Sequence, residues 1–123
     1  MPLVLVVDDL ELNVEVLESK LENAGFETIR ALSGAQAVEA ATQRSPDLIL
    51  LDVMMPEMDG YEVCRRLRAD PRTAGIPVIL LSALSEPTDR LQGFEAGADA
   101  FVTKPVRDDA LFARMRLLIG AKR

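Results

Sequence analysis

Three short apolar runs, LVLVV at 3–7, LILL at 48–51 and PVILL at 77–81, constrain this chain more than any other feature. Runs of about five residues are too short for typical helices, and with turn residues on either side they read as strands buried on both faces. Between them lie longer segments with helical spacing. Leu10, Val14, Leu17, Leu21 and Ala24 follow at steps of four, three, four and three, which makes one stripe of a helix, and Gly25 closes it as a C-cap.

Two weaker strands, Glu27 to Ala31 and Ala100 to Thr103, complete the set. The remaining helices start at recognisable caps. Ser33 with Gln36 has capping-box spacing, Asp59 with Glu62 has a similar layout, and Ser85-Glu86-Pro87 opens the next. Asp70-Pro71 and Gly97 are stops, and a last helix from about Arg107 to Ile119 carries Leu111, Met115 and Leu118 on one side.

The order is thus strand and helix, five times over. Continuously apolar central strands joined by right-handed crossovers give a parallel sheet with helices on both faces. Five strands suit the doubly wound order 2-1-3-4-5 of the flavodoxin-like α/β class, whose ligands sit at the carboxyl ends of the strands, between strands 1 and 3. With no repeat, low-complexity tract or linker, residues 1–123 are expected to form one domain, with its core from about 3 to 119.

Composition removes several functions. The chain has no histidine, which eliminates Ser/His/Asp and Cys/His nucleophile pairs and every His-ligated metal site. Cys64 is the sole cysteine, so an internal disulfide is impossible. A formal charge of -6 argues against direct nucleic-acid binding. No stretch approaches the roughly 18 apolar residues of a membrane span, and Met1-Pro2 enters the first strand without a signal-peptide pattern. A cytoplasmic location is the expectation.

At the carboxyl ends of the strands the sequence places Asp8-Asp9, Asp52, Ser82 and Lys104-Pro105. Singly, each has a plain structural explanation. An Asp after a strand is often a helix N-cap, and a Lys before Pro is usually surface. Three carboxylates on neighbouring strands, however, repel one another, and folding alone does not favour such a cluster. A divalent cation resolves the conflict. Oxygen ligands without His or thiol suit a hard ion, Mg²⁺ better than Ca²⁺, with Mn²⁺ able to substitute. Lys104 adds a mobile cation that can pair with a carboxylate in one state and a phosphate oxygen in the next, and Ser82 adds a hydroxyl donor. These are the parts of phosphoryl transfer to a carboxylate, with Asp52 as the chosen nucleophile.

VVDD (6–9), LLDVMMPEMDG (50–60), LLSA (80–83) and FVTKP (101–105) stand in the order and spacing of a known family. From about Leu3 to Ile119 the chain resembles the receiver domains of bacterial two-component response regulators, which have the CheY-like version of this fold. The resemblance implies that Asp52 is the phosphoacceptor, that Asp8 and Asp9 organise Mg²⁺ with Asp52 and the main-chain carbonyl of Met54, and that Lys104 contacts the phosphoryl group. Ser82 becomes the switch hydroxyl and Phe101 the aromatic that turns into the space Ser82 vacates. Ala83 is the small residue that leaves the phosphoryl group room, and the Lys104-Pro105 peptide is cis. The implied partner is a sensor histidine kinase or a histidine phosphotransfer protein. Met54, two residues after the acceptor, is apolar where an aspartyl phosphatase often carries an acid–base Asp, so loss of phosphate is expected to be slow.

Asn13, the run 53–71, LQGFEAGADAFVTKP (91–105) and LFARMRLL (111–118) are similar to the first receiver of PleD-type regulators, which join receivers to a GGDEF diguanylate cyclase. No GGDEF segment is present, so that activity cannot be assigned to these residues. The chain fits both an excised domain followed by an output domain and a stand-alone receiver. Residues 104–123 hold six basic and two acidic side chains. Arg107, Arg114 or Arg116 meeting Glu86, Asp89 and Glu95 of a second copy would give a homodimer through helix 4, strand 5 and helix 5; a solvated charge run is the plainer reading. Two rivals differ in kind. A flavin carrier would need a phosphate loop where Asp8-Asp9-Leu10-Glu11 repels anions, and a docking module would work without phosphorylation.

Overall fold

In the computed structural model, which describes residues 1–121, each apolar run becomes a strand and each periodic segment a helix. The order is β1 (Leu3–Val7), α1 (Glu11–Asn23), β2 (Glu27–Ala31), α2 (Gly34–Arg44), β3 (Leu48–Asp52), α3 (Gly60–Ala69), β4 (Val78–Ser82), α4 (Pro87–Glu95), β5 (Ala100–Thr103) and α5 (Asp108–Ala121). The five strands form one parallel sheet in the order β2-β1-β3-β4-β5, as expected.

Alternation along the strands builds two cores. Val4, Val6, Leu48, Leu50, Ile79 and Leu81 face one layer with Val14 and Leu21 of α1 and Leu111 and Met115 of α5. Leu5, Val7, Ile49, Leu51, Val78 and Leu80 face the other, against Ala37 and Ala41 of α2 and Tyr61, Val63, Cys64 and Leu67 of α3. Successive strand side chains point to opposite faces, so a run buried throughout needs a helix layer on each side.

Several local expectations change in detail. Leu10, the first residue of the α1 stripe, is 59% exposed, because it is the N-cap with extended backbone and lies before the helical turn that would aim it inward. Gly25 follows the C-cap Ala24 at φ +96°, a left-handed position that glycine adopts without penalty. There its N–H reaches Glu22 O while Phe26 N–H reaches Leu21 O, the paired bonds of a Schellman end. Ser33 caps α2 by accepting from Gln36 N–H at 3.2 Å, but the Gln36 side chain accepts from Leu32 N–H rather than from Ser33. Asp59 caps α3 through Glu62 N–H at 2.9 Å, whereas the Glu62 carboxylate turns to Arg65 and Arg66. The last helix begins at Asp108 and runs to Ala121, one residue later and two residues further than its apolar pattern indicated.

The amino-terminal edge of the sheet is held by Arg68. Its guanidinium donates to the carbonyls of Gly97 (2.9 Å), Ala74 (3.1 Å) and Ile76 (2.7 Å) and to Asp99 Oδ2 (2.9 Å). The same Asp99 oxygen accepts from Val78 N–H at 2.8 Å. One arginine therefore ties the end of α3 to both loops that lead into β4 and β5.

Candidate functional site

The ladder of the sheet delivers the site residues. Asp52 is the last residue of β3 and pairs with Leu81, while Ser82 at the end of β4 pairs with Thr103. Lys104 N–H extends that ladder by donating to Ser82 O at 2.7 Å, and the Lys104-Pro105 peptide is cis, as the resemblance implied. Asp52 shares the strand parity of Leu50 and so faces the layer of α1 and α5. There a cleft of about 380 Å³ opens, lined in part by Asp8, Asn13, Asp52 and Lys104 and on its apolar side by Leu12, Val16 and Val106.

One carboxylate oxygen from each of Asp8, Asp9 and Asp52 lies within 4.8 Å of the others. Lys104 Nζ sits 3.0 Å from Asp52 Oδ1 and 3.8 Å from Asp8 Oδ2. Asp8 and Asp52 are buried. Asp8 is oriented by two donors: Leu10 N–H to Oδ1 at 3.0 Å and Asn13 Nδ2 to Oδ2 at 3.2 Å. Burial pushes the Asp52 carboxyl above the ordinary carboxylate range, the hydrogen bond and charge of Lys104 pull it down, and Asp8 and Asp9 push it up again. With all four groups charged, one ammonium, in reach of Asp8 and Asp52, stands against a cluster of three carboxylates, and two negative charges remain.

That imbalance is the test of fit for a metal. A dication cancels it, and the donor set is all oxygen, as Mg²⁺ prefers. Met54 extends the set by its main chain. Its side chain is 59% exposed, and among the described residues no hydrogen bond engages its carbonyl. The backbone around the acceptor is closely packed. A Cβ on Gly60 would stand 2.5 Å from Asp52 O, and Gly60 N–H donates to Val53 O at 2.8 Å. Glu57, in the same loop, holds a left-handed φ of 68°.

Ser82 ends its strand at the same sheet edge but does not hydrogen-bond the carboxylates. It is fully buried, its Oγ accepts from Leu84 N–H at 3.0 Å, and it makes no hydrogen bond to Asp52. The reason is parity: Ser82 follows Val78 and Leu80 and so faces the layer that holds Phe101. Phe101 is itself buried. Arg90 of α4 covers its ring at 5.5 Å from the centroid and donates to its carbonyl at 3.3 Å.

The family described as response regulator receiver domain matches residues 4–116. The chain belongs to that family. As a receiver it is 53% identical over 119 residues to response regulator PleD of Caulobacter vibrioides, which covers 97% of this chain and 26% of that protein. It is 44% identical to the transcriptional regulator RpaA of Synechocystis, covering 97% of this chain and 49% of the other. The receiver thus spans at most about half the length of these curated relatives. Among solved structures, the receiver domain of a signal transduction histidine kinase from Syntrophus aciditrophicus superposes with a TM-score of 0.91 at 41% identity, covering 98% of this chain and 92% of that one. The receiver domain of a sensor histidine kinase from Pseudomonas aeruginosa, solved with a magnesium ion coordinated in its active-site cleft, matches with a TM-score of 0.89 at 31% identity, covering 97% and 98%.

Two residues of the receiver site carried no assigned role in the sequence reading. Asn13 stood only in the PleD-type pattern, and its signal was a carboxamide five residues after Asp8, inside the first helical turn. Gly60 stood only as the last residue of the 50–60 stretch that carries the family resemblance. Cys64 is buried in the α3 core, where its thiol is pushed up to about 11 by burial, and takes no part in the site.

Proposed function

We propose that Asp52 accepts a phosphoryl group from a phosphohistidine on a histidine kinase or histidine phosphotransfer protein. A carboxylate oxygen of Asp52 attacks phosphorus, the P–N bond breaks, and its electron pair leaves with the imidazole, so an acyl phosphate forms on this chain. The observation that carries the reading is Lys104 Nζ at 3.0 Å from Asp52 within a cluster of three carboxylates. Asp8, Asp9, Asp52 and the Met54 carbonyl are the residues that would hold Mg²⁺, or Mn²⁺ in its place. Bound there, the ion would neutralise charge on the transferred group. Lys104 exchanges its contact with Asp52 for one with a phosphoryl oxygen, and the Ser82 hydroxyl, moving from Leu84 N–H toward the new group, releases space toward Phe101. The exposed, apolar Met54 supplies no base for water, which favours a persistent acyl phosphate.

The same reading makes residues 1–123 one receiver unit in the cytoplasm, controlling an output partner, of which a diguanylate cyclase following this chain is one form. Among the described residues no helix is long and apolar enough to cross a membrane. A homodimer through α4, β5 and α5 would have to rely on Arg107 and Arg114. Arg116, the third arginine expected there, instead donates to Ala24 O and covers Phe26 on the α1 side; Lys122 and Arg123 of the basic tail lie outside the described residues.

The test is incubation with acetyl phosphate or phosphoramidate and Mg²⁺. A mass gain of about 80 Da in the parent and none in Asp52→Asn is expected. A folded parent that gains no mass with any donor would favour the docking module instead.

A further inference from the structure

Asp8 is held from the first turn of α1 by both of its oxygens, one by Leu10 N–H and the other by the Asn13 carboxamide. The oxygen that Asn13 holds is the one facing Lys104 at 3.8 Å, while Lys104 contacts Asp52 at 3.0 Å. An ammonium between two carboxylates gains by touching both, and charge-assisted contacts of this kind settle near 2.7–2.9 Å. Asp8 stands well outside that distance, and the restraint visible in the structure is its pair of donors, Leu10 N–H on Oδ1 and the Asn13 carboxamide on the same Oδ2 that faces the lysine. The Leu10 donor is main chain and comes with the turn. Asn13 is the donor that the sequence chooses, at a helical position where Asn is a poor helix former.

We infer that Asn13 is a positioning residue: its carboxamide keeps Asp8 from swinging onto Lys104, so that an Asp8 oxygen stays turned toward the divalent cation. The role rests on the reading of this cluster as a Mg²⁺-dependent phosphoacceptor site. Without the Asn13 donor, Asp8 and Asp52 would both close on the lysine, and the ammonium would occupy carboxylate oxygens that the ion needs.

Calorimetric titration of the 123-residue chain with MgCl₂ tests this, using the parent, Asn13→Leu, Asn13→Ala, Lys104→Met and the Asn13→Leu/Lys104→Met pair. The two Asn13 variants are expected to bind Mg²⁺ at least about tenfold more weakly than the parent, as loss of one hydrogen bond to a charged group implies. Asn13 lies on the surface, so the metal-free Tm should stay within about 2 °C of the parent. In the Lys104→Met background, where nothing competes for Asp8, the Asn13→Leu change should cost less than about twofold, a coupling that a general structural role would not produce. Parent-like affinity in both single Asn13 variants overturns the inference, and so does a loss of the same size in both backgrounds. A parent that binds no Mg²⁺ overturns the phosphoacceptor reading together with it, which sets that failure apart from the others.

Discussion

The two edges of the sheet treat charge in opposite ways. At the amino-terminal edge, Arg68 donates to three carbonyls and to Asp99, and Asp99 in turn accepts from Val78 N–H. Asp47 there also accepts from Leu3 N–H at 2.7 Å. At the carboxyl edge three carboxylates crowd together with one lysine that reaches only Asp8 and Asp52, and burial raises the titration of the acceptor among them. One edge uses its charged groups to close the fold, whereas the other keeps an excess that only a bound cation or a change of protonation relieves. Stability and function thus occupy opposite ends of the same strands, in keeping with the rule that functional sites carry locally unfavourable features offset elsewhere.

Arg68→Ala should break this contrast from the stable side. It leaves three carbonyls and one carboxylate without their donor, so a loss of about 3 kcal/mol is expected, roughly 10 °C in Tm, measured by thermal or urea unfolding. The Asp52 mass gain should survive at temperatures where the variant is folded. Loss of phosphorylation in a fully folded Arg68→Ala protein would show that the two edges are not independent.

Gly60→Ala probes the boundary between the two roles. Its methyl group would stand 2.5 Å from Asp52 O, so the start of α3 and the end of β3 must move apart. A cost of about 2 kcal/mol is expected, as for overpacking elsewhere. Unlike Arg68→Ala, this variant should also phosphorylate more slowly when folded, because the displaced backbone is that of the acceptor itself. An unaltered rate would mean that Asp52 tolerates the shift.

The smallest effect should have the opposite sign. Asp52→Asn removes one carboxylate from the cluster and is expected to stabilise the metal-free chain by about 1 kcal/mol near neutral pH. The sign follows from linkage. A carboxyl raised in the folded state contributes stability below its unfolded value, about 3.9, and that contribution is lost as pH rises through the raised folded value. The advantage of Asp52→Asn should therefore be near zero at about pH 3 and grow as pH rises through the acceptor's titration. Melting curves of parent and variant across that range check it. An advantage that is largest in acid would contradict the assigned cause.

Different parts of this protein were legible in the sequence to different degrees. The apolar runs announced the strands because a five-residue strand buried on both faces has few residue types open to it, and the caps at Ser33 and Asp59 announced their helices through side-chain chemistry confined to three or four positions. The site was legible for a related reason. Asp8, Asp9, Asp52 and Lys104 each end or follow a strand, so strand order alone brings them to one edge. Ser82 was legible as a residue of that edge but not in its contacts, because a one-residue step along a strand changes the face. Arg116 pointed to a dimer by charge alone, and its actual partners, Ala24 O and the Phe26 ring, lie more than 85 residues away in the chain.

By itself, the sequence determined the order of elements, the doubly wound sheet and the gathering of acids with one lysine at its carboxyl edge, since all three follow from local periodicity and from which residues stand at strand ends. The tertiary structure alone decided which Asp8 oxygen Asn13 holds, how far Lys104 stands from each carboxylate, and that Arg68 rather than an apolar contact fastens the opposite edge. Those outcomes depend on distances between segments remote in sequence, and hydrogen bonds and ion pairs change with fractions of an ångström that no pattern of residue types records.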